Sequence, residues 1–378
     1  MSAPAPRPDR PAAESRFGHG LVVGKFYPPH AGHHHLIATA AAACDRVTVV
    51  VAPSSVESIP LELRLDWLRE VHASTPWVWF VGVVDDHPVD YADPVAWDAH
   101  CQVFRAALDG PVDAVFSSER YGDELARRFS ATHVCVDQAR STIGVSGTKV
   151  RADPVSQWRH LAPPVRAWFT RRVVVVGAES TGTTTMARAL AEALRGDGGV
   201  WTQTRWVPEF GRELTQRKLT ALRRTDPGAS VFDVTWSRED FVEVAETQNR
   251  AEDDAARSGG PILVCDTDAA ATAVWEERYL GSPSVATLAA ARRPDLYLLT
   301  DHEGVPFEDD GLRDGEHLRA WMTGRFREVL RDTGVPVREL TGPPEVRLAT
   351  ARSACADLVA GGWRLAPPLA EAGADRSR

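Results

Sequence analysis

Apolar residues along this chain come in short unbroken runs, each followed by a longer segment with helical spacing. In the first half, Leu21 to Val23, Arg46 to Ala52, Trp77 to Val84, Asp113 to Ser117 and Thr132 to Val136 read as strands. Helices are predicted between them at His34 to Cys44, Leu61 to His72, Val95 to Leu108 and about Tyr121 to Phe129. The scheme then starts again. Strands are predicted from Arg172 through Val176 and at Val200 to Val207, Ile262 to Asp266, Asp295 to Thr300 and Val335 to Leu340. The second set of helices is Met186 to Leu194, Arg238 to Arg257, Glu316 to Arg331 and Pro344 to Ala360. A run such as Val173 to Val176 has no polar alternation, so it belongs to a parallel sheet covered on both faces. Strand and helix in turn predict two α/β domains, each a doubly wound parallel sheet with right-handed crossovers. The expected divisions are a disordered leader (1–18), a first domain (19–160), a connector (161–171), a second domain (172–362) and a flexible tail (363–378).

Bulk properties narrow the class. A chain of 378 residues exceeds the roughly 250–300 at which single cores stop growing, which fits two domains. Lys and Arg number 43 against 52 Asp and Glu, a net charge of -9. That balance argues against non-specific coating of nucleic acid, and no nucleic-acid partner is expected. Cys44, Cys101, Cys135, Cys265 and Cys355 form no C-x-x-C pair and read as reduced residues of a cytoplasmic protein. No apolar segment approaches the ~18 residues of a membrane span. A homo-oligomer is left open.

Candidate chemistry lies where strands end and helices begin, the position at which open α/β sheets bind ligands. Gly177-Ala178-Glu179-Ser180-Thr181-Gly182-Thr183-Thr184 follows the valine strand in the frame of a P-loop, whose backbone amides cradle nucleotide phosphates. Thr183 stands where that motif has lysine, and Thr184 where a hydroxyl meets Mg²⁺. Cys265-Asp266-Thr267-Asp268 ends a buried strand in acids, the Walker-B arrangement for Mg²⁺. Glu209-Phe210-Gly211-Arg212-Glu213 opens a helix, and Phe307 to Asp314 is an acidic loop read as a lid, with Arg313 its one arginine. In the first half, Gly24-Lys25-Phe26-Tyr27-Pro28-Pro29-His30-Ala31-Gly32-His33 places two histidines at a helix entrance, a phosphate site. Val145-Ser146-Gly147-Thr148-Lys149-Val150-Arg151 supplies a second helix start, with Ser146 as N-cap.

These two stretches resemble the G-x-F-x-P-x-H-x-G-H entrance and I-S-x-T-x-x-R exit of the nucleotidyltransferase superfamily. The resemblance implies adenylyl transfer, in which a phosphate attacks the α-phosphorus of ATP and pyrophosphate leaves. On it His30 and His33 hold ATP phosphates, Lys25 and Arg151 steady the pyrophosphate, Ser146 and Thr148 donate to it, and Gly24, Phe26 and Gly32 shape the ATP site. Followed by a P-loop domain, the whole resembles the NadR-type bifunctional proteins of NAD salvage, a Rossmann-like nucleotidyltransferase joined to a P-loop NTPase-like kinase. The family carries nicotinamide mononucleotide adenylyltransferase and ribosylnicotinamide kinase activities, with ATP as substrate and Mg²⁺ as cofactor. In the kinase half the resemblance assigns Gly177, Glu179, Ser180, Thr181, Gly182, Thr183, Thr184 and Arg313 to ATP, Thr184 and Asp266 to Mg²⁺, and Arg212, Asp268 and Asp310 to substrate. Glu209 and Asp266 are the candidates for orienting or deprotonating the 5′-hydroxyl, in either order. Trp97 is read either as a stacking partner of the nicotinamide ring or as core. Some members carry an N-terminal helix-turn-helix that the 1–18 leader is too short to hold, so regulation through DNA is not expected. Arg188, Arg212 or Arg313 is expected to replace the missing lysine charge. The alternative is a C-terminal nucleotide sensor, a pseudokinase that binds ATP without transferring phosphate.

Overall fold

The computed structural model describes residues 16–119, 121–139, 141–308 and 310–369. They fall into two compact units, one built from the chain up to Val165 together with the segment from Trp363, the other from Arg166–Gly362.

The first unit runs β1 (Phe17–Gly24), α1 (Ala31–Ala43), β2 (Cys44–Val51), α2 (Leu61–Val71), β3 (Val78–Gly82), α3 (Pro94–Ala106), β4 (Ala114–Ser117), α4 (Tyr121–Phe129), β5 (Thr132–Cys135) and α5 (Gly147–Ala152), and the division from the second unit falls within α6 (Pro163–Phe169). Its sheet is five-stranded in the order β3-β2-β1-β4-β5, and every pairing is parallel. Alternate residues of β1 enter different cores. Val22 packs in a cluster with Ile37, Leu68 and Phe116, while Leu21 and Val23 join Cys101, Phe104 and Leu125. Both faces are therefore covered, as the unbroken apolar run requires.

The second unit repeats the plan with β6 (Arg171–Gly177), α7 (Thr183–Arg195), β7 (Arg205–Val207), α8 (Phe210–Leu222), α9 (Arg238–Ser258), β8 (Ile262–Asp266), α10 (Ala269–Leu280), α11 (Val285–Ala290), β9 (Leu296–Thr300), α12 (Arg319–Thr333), β10 (Val337–Leu340) and α13 (Pro344–Ala360). The strand order is β10-β9-β6-β8-β7, again parallel throughout. Val173 and Val175 pack with Leu190, Leu194 and Ala351; Val174 and Val176 pack with Val274, Phe326 and Leu330. Burial of each such side chain stabilises by about 1.5–3 kcal/mol, which is why the four valines specify the central strand. In both sheets the first strand is central and the order reverses beside it, so the loops that follow β1 and β6 open onto the crevice where such sheets take ligands.

Several elements differ from the sequence expectation. The strand expected at Val200 to Val207 is only Arg205–Val207, because Gly199–Gln203 winds as a 3-10 turn. Helices α10 and α11 stand where none is expected; α10 opens with buried Ala269, Ala270 and Ala271, an alanine run without helical contrast. The expected connector is mostly helix α6. Part of the expected tail is bound: Ala366 accepts from the Tyr27 hydroxyl at 2.8 Å and donates its N–H to Ser58 at 2.7 Å. Most of the expected leader lies outside the described residues, and Phe17 is already in β1. No helix among the described residues is long and apolar enough to cross a membrane. Cys44, Cys101, Cys265 and Cys355 are buried and Cys135 is exposed, all as free thiols.

Candidate active sites

In the first unit the chain leaves β1 at Gly24 and enters α1 at Ala31, so His30 is the helix cap and His33 lies in the first turn. The two imidazoles stack at 3.7 Å between centroids, and the Phe26 ring packs on His33 at 4.8 Å. A Cβ on Gly32 would come within 3.1 Å of the His30 ring, so a side chain there would press on the stack. Phe26 is held at φ 48, a left-handed conformation that costs a non-glycine residue about 1–3 kcal/mol and persists only where its surroundings impose it. The exit stretch meets the entrance stretch directly. Ser146 caps α5 by accepting from the Lys149 amide at 3.3 Å. Arg151 reaches back, donating through Nη1 to the Tyr27 carbonyl at 2.6 Å and through Nη2 to Thr148 Oγ1 at 3.2 Å. Buried Glu57 pairs with Lys25 at 3.2 Å and with Arg64 at 2.6 Å. Burial pulls the Arg151 pKa down, with Tyr27 and Glu57 opposing. Three cations, Lys25, Arg64 and Arg151, thus converge beside a helix N-terminus, a place that favours an anion.

Sequence reasoning missed the neighbouring group formed by Asp85, His87 and His100. Asp85 accepts from His87 Nδ1 at 2.8 Å and from His100 Nδ1 at 2.5 Å, and the other nitrogen of His100 faces the Pro88 carbonyl at 3.1 Å. The hydrogen bond to Asp85 raises the His100 pKa. These three are a candidate ligand set for a metal, yet the separations are those of hydrogen bonds, and an imidazole with two acceptors is an imidazolium. No periodicity links residues this far apart in a loop and a helix. Of the two readings of Trp97, the structure gives core: the indole is 7% exposed, packs in the cluster around Cys101 and Phe104, and donates to the Tyr91 carbonyl at 3.1 Å.

In the second unit the loop between β6 and α7 ends at Gly182, left-handed at φ 86, a conformation open to glycine. Thr183 and Thr184 begin α7, and their hydroxyls lie near enough to the Asp266 carboxylate at the end of β8 to favour its charged form. Glu209, at the cap of α8, shares this cleft. Burial first, and then the Asp266 charge, push the Glu209 pKa up; burial likewise raises that of Asp266 against the threonine hydroxyls. Asp266 Oδ2 is buried with no hydrogen-bond partner among the described residues. An unsatisfied carboxylate oxygen beside the Thr184 hydroxyl suits Mg²⁺, so the residues present fit that ion. The cleft is an open pocket of about 990 Å³, and Trp236, Phe241, Trp275 and Tyr279 form part of its lining. Trp236 lies 5.3 Å from Phe241 and 5.4 Å from Tyr279, ring to ring.

Among the three arginines expected to replace the lysine, Arg313 is the one at the loop. Its Nη1 donates to Ser180 Oγ at 2.9 Å. Arg188 lies over the Trp206 ring at 5.6 Å, and Arg212 pairs with Asp310. Arg347, from α13, holds the loop by donating to the Thr181 carbonyl at 3.1 Å, a residue the sequence reading passed over as part of an alanine-rich helix.

The family model described as AAA domain matches residues 172–347. Along the sequence the chain is 26% identical over 314 residues to "Trifunctional NAD biosynthesis/regulator protein NadR" of Escherichia coli (strain K12), covering 78% of this chain and 71% of that one. The protein of the same name from Salmonella typhimurium is 25% identical over 312 residues, with the same coverage. Among solved structures, a NadR protein in complex with NR superposes with a TM-score of 0.69 at 22% identity, covering 91% of this chain and 96% of that one. A NadR protein in complex with NAD and AMP-PNP gives 0.68 at 23% identity, covering 91% and 97%.

Over most of its length the chain is thus similar to NadR proteins. Two of the site residues that the NadR resemblance suggested are engaged otherwise. Asp268 caps α10, accepting from the Ala271 amide at 2.8 Å and from the Tyr297 hydroxyl at 2.7 Å, so both oxygens are spent inside the fold rather than on a substrate. Glu179 lines the cleft with its neighbours in the loop. It pairs with Arg278 at 3.0 Å and accepts from the Gly315 amide at 2.7 Å, tying the loop after β6 to the segment before α12. The Thr181 hydroxyl is likewise internal, bonded to the Ala178 carbonyl and to Thr300, which leaves its backbone for a ligand. Gly177, Ser180, Thr183, Thr184, Glu209, Asp266, Arg212 and Arg313 line one pocket. Asp310 is joined to that pocket through Arg212, and its neighbour Asp309 lies outside the described residues.

Proposed function

We propose that the chain makes NAD from ribosylnicotinamide in two ATP-dependent steps, phosphorylation in the second unit and adenylyl transfer in the first. The observation that carries the reading is the wall of Trp236, Phe241 and Tyr279 in the same cleft as Glu209 and Asp266. Ribosylnicotinamide is a planar pyridinium cation bearing a 5′-hydroxyl. Aromatic faces attract such a cation by about 0.5 to 2 kcal/mol, and the acids favour its charge while one of them serves the hydroxyl.

In the phosphorylation step the 5′-oxygen attacks the γ-phosphorus of ATP, the bond to ADP breaks, and the hydroxyl proton passes to a base. Glu209 is assigned that role, because its raised pKa suits a base working near neutral pH. Thr184 and Asp266 would hold Mg²⁺, which when bound supplies positive charge to the phosphates. The loop amides from Gly177 to Gly182 receive the phosphates, and Arg313 adds the cation that Thr183 lacks. In the adenylyl step the acceptor's phosphate attacks the α-phosphorus and pyrophosphate leaves with the bonding pair. The attacking group is already an anion, so no base is required, and the work of Lys25, His30, His33 and Arg151 is positioning and neutralisation.

Thr183 favours a second reading, a second unit that binds ATP without transferring phosphate. A mass-resolved assay of the chain with Mg-ATP and ribosylnicotinamide separates the two. Appearance of both the mononucleotide and NAD supports the two-step reading. Conversion of supplied mononucleotide alone, with ATP still bound by the second unit, supports the sensor.

A further inference from the structure

The motif residue Tyr27 is the joint of the first site. Its carbonyl accepts from Arg151, and the guanidinium groups of Arg64 and Arg151 lie over its ring at 4.5 and 5.0 Å. Its hydroxyl accepts from the Ser58 amide at 3.0 Å and donates to the Ala366 carbonyl at 2.8 Å. Ala366 completes the ring by donating its own N–H to Ser58 Oγ at 2.7 Å. Ala366 follows the whole of the second unit in sequence, yet it belongs to the first. Tyr27 itself is 2% exposed, and it sits next to Phe26, whose left-handed backbone carries the ring packed on His33.

We propose that the segment Trp363–Leu369 is a working part of the adenylyl-transfer site, a strap that positions Tyr27 and through it Arg151 and the Phe26–His33 stack. The inference rests on the adenylyl-transfer reading of the first unit. Ala366 and Tyr27 are positioning residues, acting through the cations that meet the phosphates. The strap therefore affects adenylyl transfer and leaves phosphorylation in the second unit alone. Its loss lowers turnover more than it weakens acceptor binding, because what it fixes is the aim of Arg151 and not a surface the acceptor touches.

The test uses the chain with Trp363–Leu369 deleted, which removes both Ala366 backbone partners, together with Ser58→Ala and Tyr27→Phe. Adenylyl transfer to nicotinamide mononucleotide and phosphorylation of ribosylnicotinamide are measured in the same preparations. Loss of two hydrogen bonds predicts a fall of about tenfold in the adenylyl kcat for the deletion, with a smaller fall for each point variant. KM for the mononucleotide and the phosphorylation rate stay within about twofold. A synthetic peptide spanning residues 361–369, added in trans, restores the rate. An unchanged adenylyl kcat overturns the proposal, and so does a parallel loss of both activities that the peptide does not restore, since that is the mark of a merely structural segment. If the unaltered chain makes no NAD from the mononucleotide, the adenylyl reading has failed and hydrogen exchange at residues 25–33 decides the strap by itself. Faster exchange on deletion, reversed by peptide, supports it, and equal exchange overturns it.

Discussion

Replacing Arg313 by glutamine tests whether a lysine-free loop draws its positive charge from elsewhere in the fold. Arg313 Nη1 stands 2.9 Å from Ser180 Oγ and 2.5 Å from the Glu308 carbonyl, so the guanidinium is fixed against the loop that receives the phosphates. Glutamine keeps a planar donor and removes the charge. A charge-assisted hydrogen bond is worth about 1.5–3 kcal/mol, which at 1.36 kcal/mol per factor of ten predicts a fall of roughly 10- to 150-fold in kcat/KM for phosphorylation. The assay is ADP release by the full chain with ribosylnicotinamide, with ATP binding measured in parallel. Thr183→Lys in the Arg313→Gln background restores part of the rate, because the new ammonium arrives at the start of α7. Arg188→Gln is the control and leaves the rate unchanged, its guanidinium being over Trp206. A rate for Arg313→Gln within threefold of the unaltered chain refutes the reasoning, as does an equal fall for Arg188→Gln.

Three further outcomes are expected. Trp236→Ala and Tyr279→Ala each raise KM for ribosylnicotinamide by up to about 30-fold, the scale of a desolvated cation–π contact, while KM for ATP is unchanged; equal effects on both substrates place the aromatic wall elsewhere. Phosphorylation declines as pH is lowered through neutrality, since burial and Asp266 make Glu209 hold its proton to higher pH than an ordinary carboxylate, and a pH profile that keeps this limb in Glu209→Gln rules out Glu209 as its source. Glu252, 2% exposed in α9, is pushed by burial and then by Asp268 from an ordinary 4.5 up to about 8. Its neutral form is the one the fold accommodates, so the second unit loses stability as pH rises through that window, by at most about 1.4 kcal/mol per unit. Thermal melts of Glu252→Gln lose that part of the dependence, and a melting curve with the same pH slope as the unaltered chain refutes the assignment.

Much of this was legible because strand and glycine-loop signals are local. The four valines and the loop that follows them need no tertiary information, and the same holds for the histidine entrance after β1. What was not legible depended on contacts distant in sequence. Asp268 reads as a second Walker-B acid until Tyr297, 29 residues on, is seen to take its other oxygen. Trp97 carries the same letters whether it stacks on a ligand or fills a core, and only the burial around Cys101 separates them. Helix α10 hid in an alanine run because a helix packed on most sides shows no amphipathic contrast. Arg347 and Ala366 reach their sites across 166 and 339 residues, a relation no spacing rule contains.

The missing lysine becomes intelligible when the residues around position 183 are considered together. A lysine there would share the cleft with Asp266, whose charged form the Thr183 and Thr184 hydroxyls already favour, and with Glu209. An ammonium within a few ångströms of two carboxylates stabilises their charged forms and lowers their pKa values. Glu209 would then be a weaker base, and the pair would no longer hold a proton near neutrality. With threonine in the loop the carboxylates keep their raised pKa values, while on the proposed reading the phosphate charge is met by Arg313, bonded to Ser180 Oγ. Charge neutralisation is thereby assigned to Arg313 and proton transfer to Glu209, two residues of one cleft. On this argument Thr183→Lys alone, in the otherwise unaltered chain, shifts the pH limb of phosphorylation to lower pH and lowers the plateau rate. A limb that stays in place while the rate rises would mean that the loop lacks its lysine for some other reason.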